Sequence, residues 1–285
     1  MLDLEKYEGF SDVANNLVNK ISEAIGWRTT SKTKKLAIES FIDDIKQSNL
    51  EPIEKAAIIS NAGRIIKEYS NQANIINKAQ PLLESPKTEE MDDDWIASFM
   101  DKARLISDDE FQIIWANILA KEAEKPGSFS LRTLDVLKCL SKTEAELFQK
   151  YVSIAVLFGG NAYVMENIYN PTAKYGEILI LEESGLISSS LITSTIEFKG
   201  NEEIPFLYND NAFSMVKCIV EGNEKIKFTG YAFTKSGNEL IKAIQVDKKN
   251  YELIKALKEI KQKNQDRIEI ILYDITEEAQ KTIDL

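Results

Sequence analysis

The stretch Tyr175–Phe198, YGEILILEESGLISSSLITSTIEF, changes character half-way along. From Tyr175 to Ser184 it reads as a short helix, and Gly185 sits where a helix stops. Leu186 and Ile187 tuck in behind the stop. From Leu191 to Phe198 the residues are those that favour a pleated, half-buried surface. Three more runs of this kind follow, Ile204–Tyr208, Phe213–Val220 and Ile226–Phe233, with Lys199-Gly200-Asn201 and Glu221-Gly222-Asn223 as turns. Thr234 restarts a helix through Ile244. A final helix holds Tyr251, Ile254, Leu257 and Ile260 and leads into a strand over Ile268–Leu272. The back of the chain therefore mixes helix and strand.

Upstream the period is helical. Ser11 caps a helix through Ile25 whose stripe is Val13, Ala14, Leu17, Val18, Ile21, Ala24 and Ile25, with Gly26 at the stop. Leu36, Phe41, Ile42 and Ile45 mark a second helix, and a third runs from Pro52 to about Lys78. Residues 81–91, with Pro81 and Pro86 among charges, read as a linker or exposed loop. Asp92, Asp93 and Asp94 then precede Trp95, Ile96, Phe99 and Met100. Ser107 and Glu110 suggest a capping box for the next helix, with Phe111, Ile114, Trp115, Ile118 and Leu119. Ser130 opens a short helix, and Ser141 with Glu144 caps another carrying Phe148 and Val152. The helical reading extends to about residue 158, where Gly159-Gly160 forms a turn between regions.

Composition narrows the chemistry. The 285 residues contain no histidine, which excludes Ser-His-Asp and Cys-His nucleophile systems and His-ligated zinc. Length alone suggests roughly two domains. The net charge is −11, and residues 1–80 balance 11 basic against 11 acidic, so the excess acid lies downstream. An acidic surface repels a phosphate backbone, which disfavours nucleic acid as a partner. Cys139 and Cys218 stand in apolar company and read as reduced core thiols. The opening Met1-Leu2-Asp3-Leu4-Glu5 has neither a basic nor an apolar leader region, and the longest apolar run, Ile154–Phe158, is far below the ~20 residues of a membrane span. A cytoplasmic protein, with peripheral membrane contact as an option, is expected.

Three phrases resemble known families. LEESGLI (Leu181–Ile187) followed by strands and FTKSGNEL (Phe233–Leu240) resembles a winged-helix domain. Asp92–Ser141 is similar to a bacterial family known only as a conserved domain of unknown function. FSDVANNLVNKISEAIG (Phe10–Gly26) resembles the opening of the Abi-alpha abortive-infection family. These resemblances imply a bacterial protein with phage defence as its setting, and they carry no catalytic residues. The expected architecture is a mainly α N-terminal helical region followed by an α+β winged-helix-like domain. Its parts are amphipathic helices over 1–80, the loop 81–91, a helical domain 92–158, the winged-helix-like domain 159–245, and a C-terminal helix and strand over 246–285.

Several candidate sites emerge. Residues 11–35 could meet a membrane or a partner through Val13, Leu17, Ile21 and Trp27, with Arg28, Lys32, Lys34 and Lys35 facing anionic lipid; ordinary packing on the chain itself is the competing reading. The helix Lys174–Glu183 could read DNA, but its three acids and apolar block suit core packing and protein contact instead. Lys248, Lys249, Lys255, Lys258, Lys261, Lys263 and Arg267 offer a basic alternative, read as a solvated helix face. Glu197 and Lys199 share one strand face with the spacing found in metal-dependent nucleases, but no upstream acid in a matching strand supports that chemistry, and such a pair is common surface decoration. Asp92–Asp94 could invite magnesium, yet successive helical residues diverge by ~100° and a helix cap fits better. Gly159-Gly160-Asn161 lacks the spacing and lysine of a phosphate loop, and no cofactor is expected. The expected function is a non-enzymatic protein-interaction or self-associating regulatory protein; the alternative is a metal-dependent nuclease or a nucleic-acid-binding winged helix.

Overall fold

A computed structural model describes residues 12–26, 32–166, 174–199, 202–208, 212–220, 223–244, 250–264, 267–274 and 281–283. The chain divides into two compact units, Met1–Leu134 and Asp135–Leu285. N-terminal helices α1–α7 are followed by antiparallel strands with helices between them.

The first unit holds α1 (Asp12–Ile25), α2 (Lys32–Gln47), α3 (Pro52–Ala79), α4 (Asp93–Ala103) and α5 (Asp109–Glu124). Pro52 opens α3, and Glu54 turns back so that its carboxylate accepts from the Glu51 N–H at 3.1 Å. Asp92 caps α4 by accepting from the Trp95 N–H at 2.8 Å. Asp93 reaches Lys20 of α1 at 2.8 Å, so this acidic run caps a helix and pins a neighbour. α5 is capped by Asp108 and not by Ser107, because Oδ1 of Asp108 accepts from both Glu110 N–H and Phe111 N–H. Trp95 stacks on Phe99, which meets Trp115 at 5.1 Å between ring centroids, and all three are buried. The Trp95 indole donates to the Phe129 carbonyl at 2.8 Å.

α6 (Leu131–Cys139) spans the division between the units. Leu134 and Leu137 are buried, whereas Cys139 is exposed. The expectation of a core thiol there is corrected: two residues beyond Leu137 lies ~200° around the helix, on the opposite side. The Cys218 side chain lies outside the described residues.

The second unit continues with α7 (Lys142–Ser153), β1 (Val156–Phe158), β2 (Asn161–Met165), α8 (Tyr175–Glu183), β3 (Ile187–Lys199), β4 (Glu203–Tyr208), β5 (Ala212–Cys218), β6 (Asn223–Phe233), α9 (Lys235–Ile241), α10 (Asn250–Lys263), β7 (Ile268–Asp274) and β8 (Lys281–Ile283). The helical reading to residue 158 is overturned at β1. Its apolar run turns through Gly159-Gly160 and pairs with β2, Val156 opposite Tyr163. α9 also stops at Ile241, three residues early. All strands join one antiparallel sheet in the order β3-β6-β2-β1-β4-β5-β7-β8.

Alternation along β6 assigns the faces. Ile226 and Phe228 join Leu253, Leu257 and Ile260 of α10 in one core with Val216, Ile268 and Ile270. Tyr231 and Phe233 point to the other face, where Phe233 meets Phe148 of α7 edge to face.

α8 ends in a backbone lock. Gly185, at φ +73°, donates to the Glu182 carbonyl, and Leu186 N–H donates to Leu181 O at 2.8 Å. The Leu186 carbonyl in turn accepts from Thr234 N–H at 3.0 Å, while Thr234 Oγ1 donates to Gly185 O and accepts from Gly237 N–H. A Cβ at Gly237 would overlap the Leu186 carbonyl oxygen. Replacing Gly237 with Ala is therefore expected to destabilise the protein by about 1–3 kcal/mol, as overpacking does, read as a lower urea midpoint at unchanged slope.

Candidate functional site

α8 carries the apolar block and the three acids singled out in the sequence. It is fastened to α7 at both ends. At the start of α7, Ser141 and Glu144 cap reciprocally, and the free Glu144 oxygen accepts from Ser184 Oγ at 2.6 Å. These hydroxyl bonds, Ser141 first and then Ser184, hold the Glu144 carboxyl below its ordinary range. Two turns further along α7, buried Tyr151 donates to Glu177 Oε2 at 2.8 Å and accepts from the Lys174 N–H at 3.1 Å.

Lys150 also donates to Glu177, and Lys174 Nζ stands 3.8 Å from its second oxygen. The Lys150 bond chiefly, with help from Tyr151 and the two ammonium charges, pulls the Glu177 carboxyl down. The Tyr151 phenol is pushed up to about 12, mainly by burial and then by its bond to Glu177. Ile178 and Leu181 fill the inward side of α8.

The outward side is apolar and acidic. Tyr175, Leu179 and Ile180 are exposed, with Glu182 and Glu183 beside them. Only half of the apolar block is core, which corrects the expectation of a wholly inward plug: at ~100° per residue, positions 179 and 180 must leave the face that 178 and 181 bury. Leu191 is exposed on β3, directly opposite buried Tyr231. Burial chiefly, and then the Glu166 carboxylate, raises the Tyr231 phenol above its ordinary value. Glu166, just past the end of β2, keeps one carboxylate oxygen buried with no hydrogen-bond partner among the described residues, and burial raises its pKa. Lys150, Tyr151 and Glu166 were absent from the sequence-derived candidates, and Glu177 entered only as one of the three acids of the Lys174–Glu183 helix. The only hint was an acid closing the apolar run of β2 and another opening α8.

The remaining candidates are placed as follows. Leu17 and Ile21 are buried where α1 packs on α4 and the 88–90 turn, so a lipid or partner reaches them only if α1 leaves that seat. Trp27 and Arg28 lie outside the described residues, as do the side chains of Val13, Lys32, Lys34 and Lys35. Among the described residues no helix is long and apolar enough to cross a membrane. Glu197 stands opposite Lys225 across the β3–β6 ladder and pairs with it on the surface. The Lys199 N–H donates to Glu202 at 2.9 Å. No group of three or more Cys, Asp or Glu among the described residues could hold a metal ion. In the basic C-terminal segment, Lys263 is bridged to Glu259 at 3.0 Å, while Lys248 and Lys249 lie outside the described residues.

The family model described as Protein of unknown function (DUF2806) matches residues 64–258, more than half of the chain. The chain belongs to this family. The DUF2806 match begins within α3 and ends within α10, so it takes in α7, α8 and their fastening. No curated protein and no solved structure matches the chain.

Removing the Tyr151 hydroxyl (Tyr151→Phe) is expected to cost about 1–3 kcal/mol, because Glu177 and the Lys174 N–H each lose a partner, measurable by urea unfolding. The folded phenol titrates above its ordinary value, so its contribution is complete below about pH 10 and is lost as pH rises toward about 12. The Glu177 contribution runs the other way, present above the ordinary carboxylate pKa and lost as pH falls through the lowered one. Stability profiles of wild type and Tyr151→Phe should therefore converge at the alkaline end.

Proposed function

We propose that the protein is a non-enzymatic protein-interaction or regulatory protein whose second unit is a winged-helix-like module that binds protein. The order α7, β1–β2, α8, β3, β6, α9 follows the helix–strand–helix–strand–strand pattern of that module, with β4 and β5 inserted between the wing strands. The observation that carries the reading is the outward side of α8. It presents Tyr175, Leu179 and Ile180 flanked by Glu182 and Glu183, while Lys150 and Lys174 are drawn to Glu177. A DNA reader needs cationic and amide side chains there; an apolar strip rimmed by acid suits a protein surface with its own apolar centre and basic rim. The resemblance of Phe10–Gly26 to the Abi-alpha family supports a bacterial cytoplasmic setting in phage defence.

The test is capture from native lysate with mass determination of the intact complex. Wild type should retain a protein that the double variant Leu179→Glu/Ile180→Glu loses, with affinity reduced at least about a hundredfold. Both side chains are exposed, so the variant should fold. Salt-sensitive duplex DNA binding, or magnesium-dependent nuclease activity abolished by Glu197→Ala, would overturn the reading. Expression should also protect cells in a broad phage panel; protection against none would remove the defence setting.

A further inference from the structure

Between Ser40 and Ser70 no residue is buried, although α2 and α3 run beside each other through this span. α3 is 28 residues long, which at ~1.5 Å per residue makes it about 42 Å. Its buried residues begin only at Asn71. Before that point Ile58, Ile59, Ala62, Ile65, Ile66 and Tyr69 recur at helical spacing and form one stripe that is half-buried at best. Phe41 is 50% exposed, Ile65 52% and Ile53 79%. Helices of this length owe their stability mainly to packing of the apolar face, and two helices cannot fully cover each other's stripes.

The charges of α2 supply the second observation. The helix opens on Lys32, Lys34 and Lys35 with no acid in its first turn, and Asp43 and Asp44 stand near its end, Asp43 bridged to Lys46 at 3.0 Å. The basic opening opposes the helix macrodipole, which favours acid at the start, whereas Lys46 in the last turn agrees with it. An antiparallel copy of the same helix reverses the conflict, since it sets each basic end against an acidic end. The surrounding charge permits this approach: residues 1–80 balance 11 basic with 11 acidic residues, so the whole excess of −11 lies elsewhere.

We infer that the α2–α3 arm is a homodimerisation element. Two arms pack about a two-fold axis into a four-helix bundle, with α2 antiparallel to its copy and the half-covered stripes of both α3 helices inside. This inference is independent of the surface on α8.

Sedimentation velocity and native mass spectrometry of the full chain, from low to high micromolar concentration, test it. The expected species has twice the 32.3 kDa chain mass. The variant Phe41→Glu/Ile65→Glu should weaken the dimer by about a hundredfold or more. Fluorescence of buried Trp95 and Trp115 should stay unchanged, which separates lost association from unfolding. Asp43→Lys/Asp44→Lys should also weaken the dimer, and adding Lys34→Glu/Lys35→Glu should restore it. A monomer at every concentration, a dimer indifferent to Phe41→Glu/Ile65→Glu, or failure of the double reversal to restore association would overturn the proposal.

Discussion

The contact that organises the second unit joins two short segments 49 residues apart, where Thr234 reaches back to the carbonyls of Gly185 and Leu186. Leu186 N–H is committed to the end of α8, which leaves its carbonyl facing Thr234. Thr234 then caps α9 with the same hydroxyl, and Gly237 leaves room for the approach. Immediately beside this junction Ile187 pairs with Phe233, which begins the β3–β6 ladder. The register shifts between Ile187 and Leu191, and from Leu191 opposite Tyr231 the ladder runs in step to Lys199 opposite Asn223. A slip of one residue would turn Ile226 and Phe228 away from α10 and expose the apolar face of the sheet.

The same junction orients α8. Its C-terminal end is tied through Gly185, Leu186 and Ser184, and its first turn is tied through Glu177 to Lys150 and Tyr151. With both ends held, the helix has one rotational setting, in which Ile178 and Leu181 point inward and Leu179 and Ile180 outward. The surface is therefore apolar because of anchoring. Glu177 is satisfied within the fold, so it adds little free charge to that surface.

The first unit shows why amphipathicity leaves a helix's partner open. α1 and α2 both carry apolar stripes on helical spacing, yet α1 is sealed by α4 and by the Lys20–Asp93 bridge, whereas α2 and the adjoining half of α3 stay half-covered. Area removed from water drives both outcomes equally. Which surface removes it depends on chain connection and on charge placement, and the basic opening of α2 distinguishes it from α1, which opens on Asp12.

The amino-acid sequence by itself determined the helices and the longer strands, while β1, β2 and β8 were not legible in it. Period and β-type composition placed β3 to β7 and the helices of the first unit, and local chemistry fixed caps such as Ser141 with Glu144 and the stop at Gly185. Where it misled, two local patterns competed: Ile154–Phe158 suits a helix end or a hairpin strand, and only pairing with β2 decides. Cap position was similarly ambiguous between Ser107 and Asp108, since either could start the same turn. Tertiary structure alone decided which polar groups meet. Tyr151 and Glu177, for example, are 26 residues apart in the chain. Periodicity encodes which face of an element avoids water, because that depends on residues a few positions apart; the partner of a buried hydroxyl or carboxylate depends on how distant elements close, which no local spacing contains.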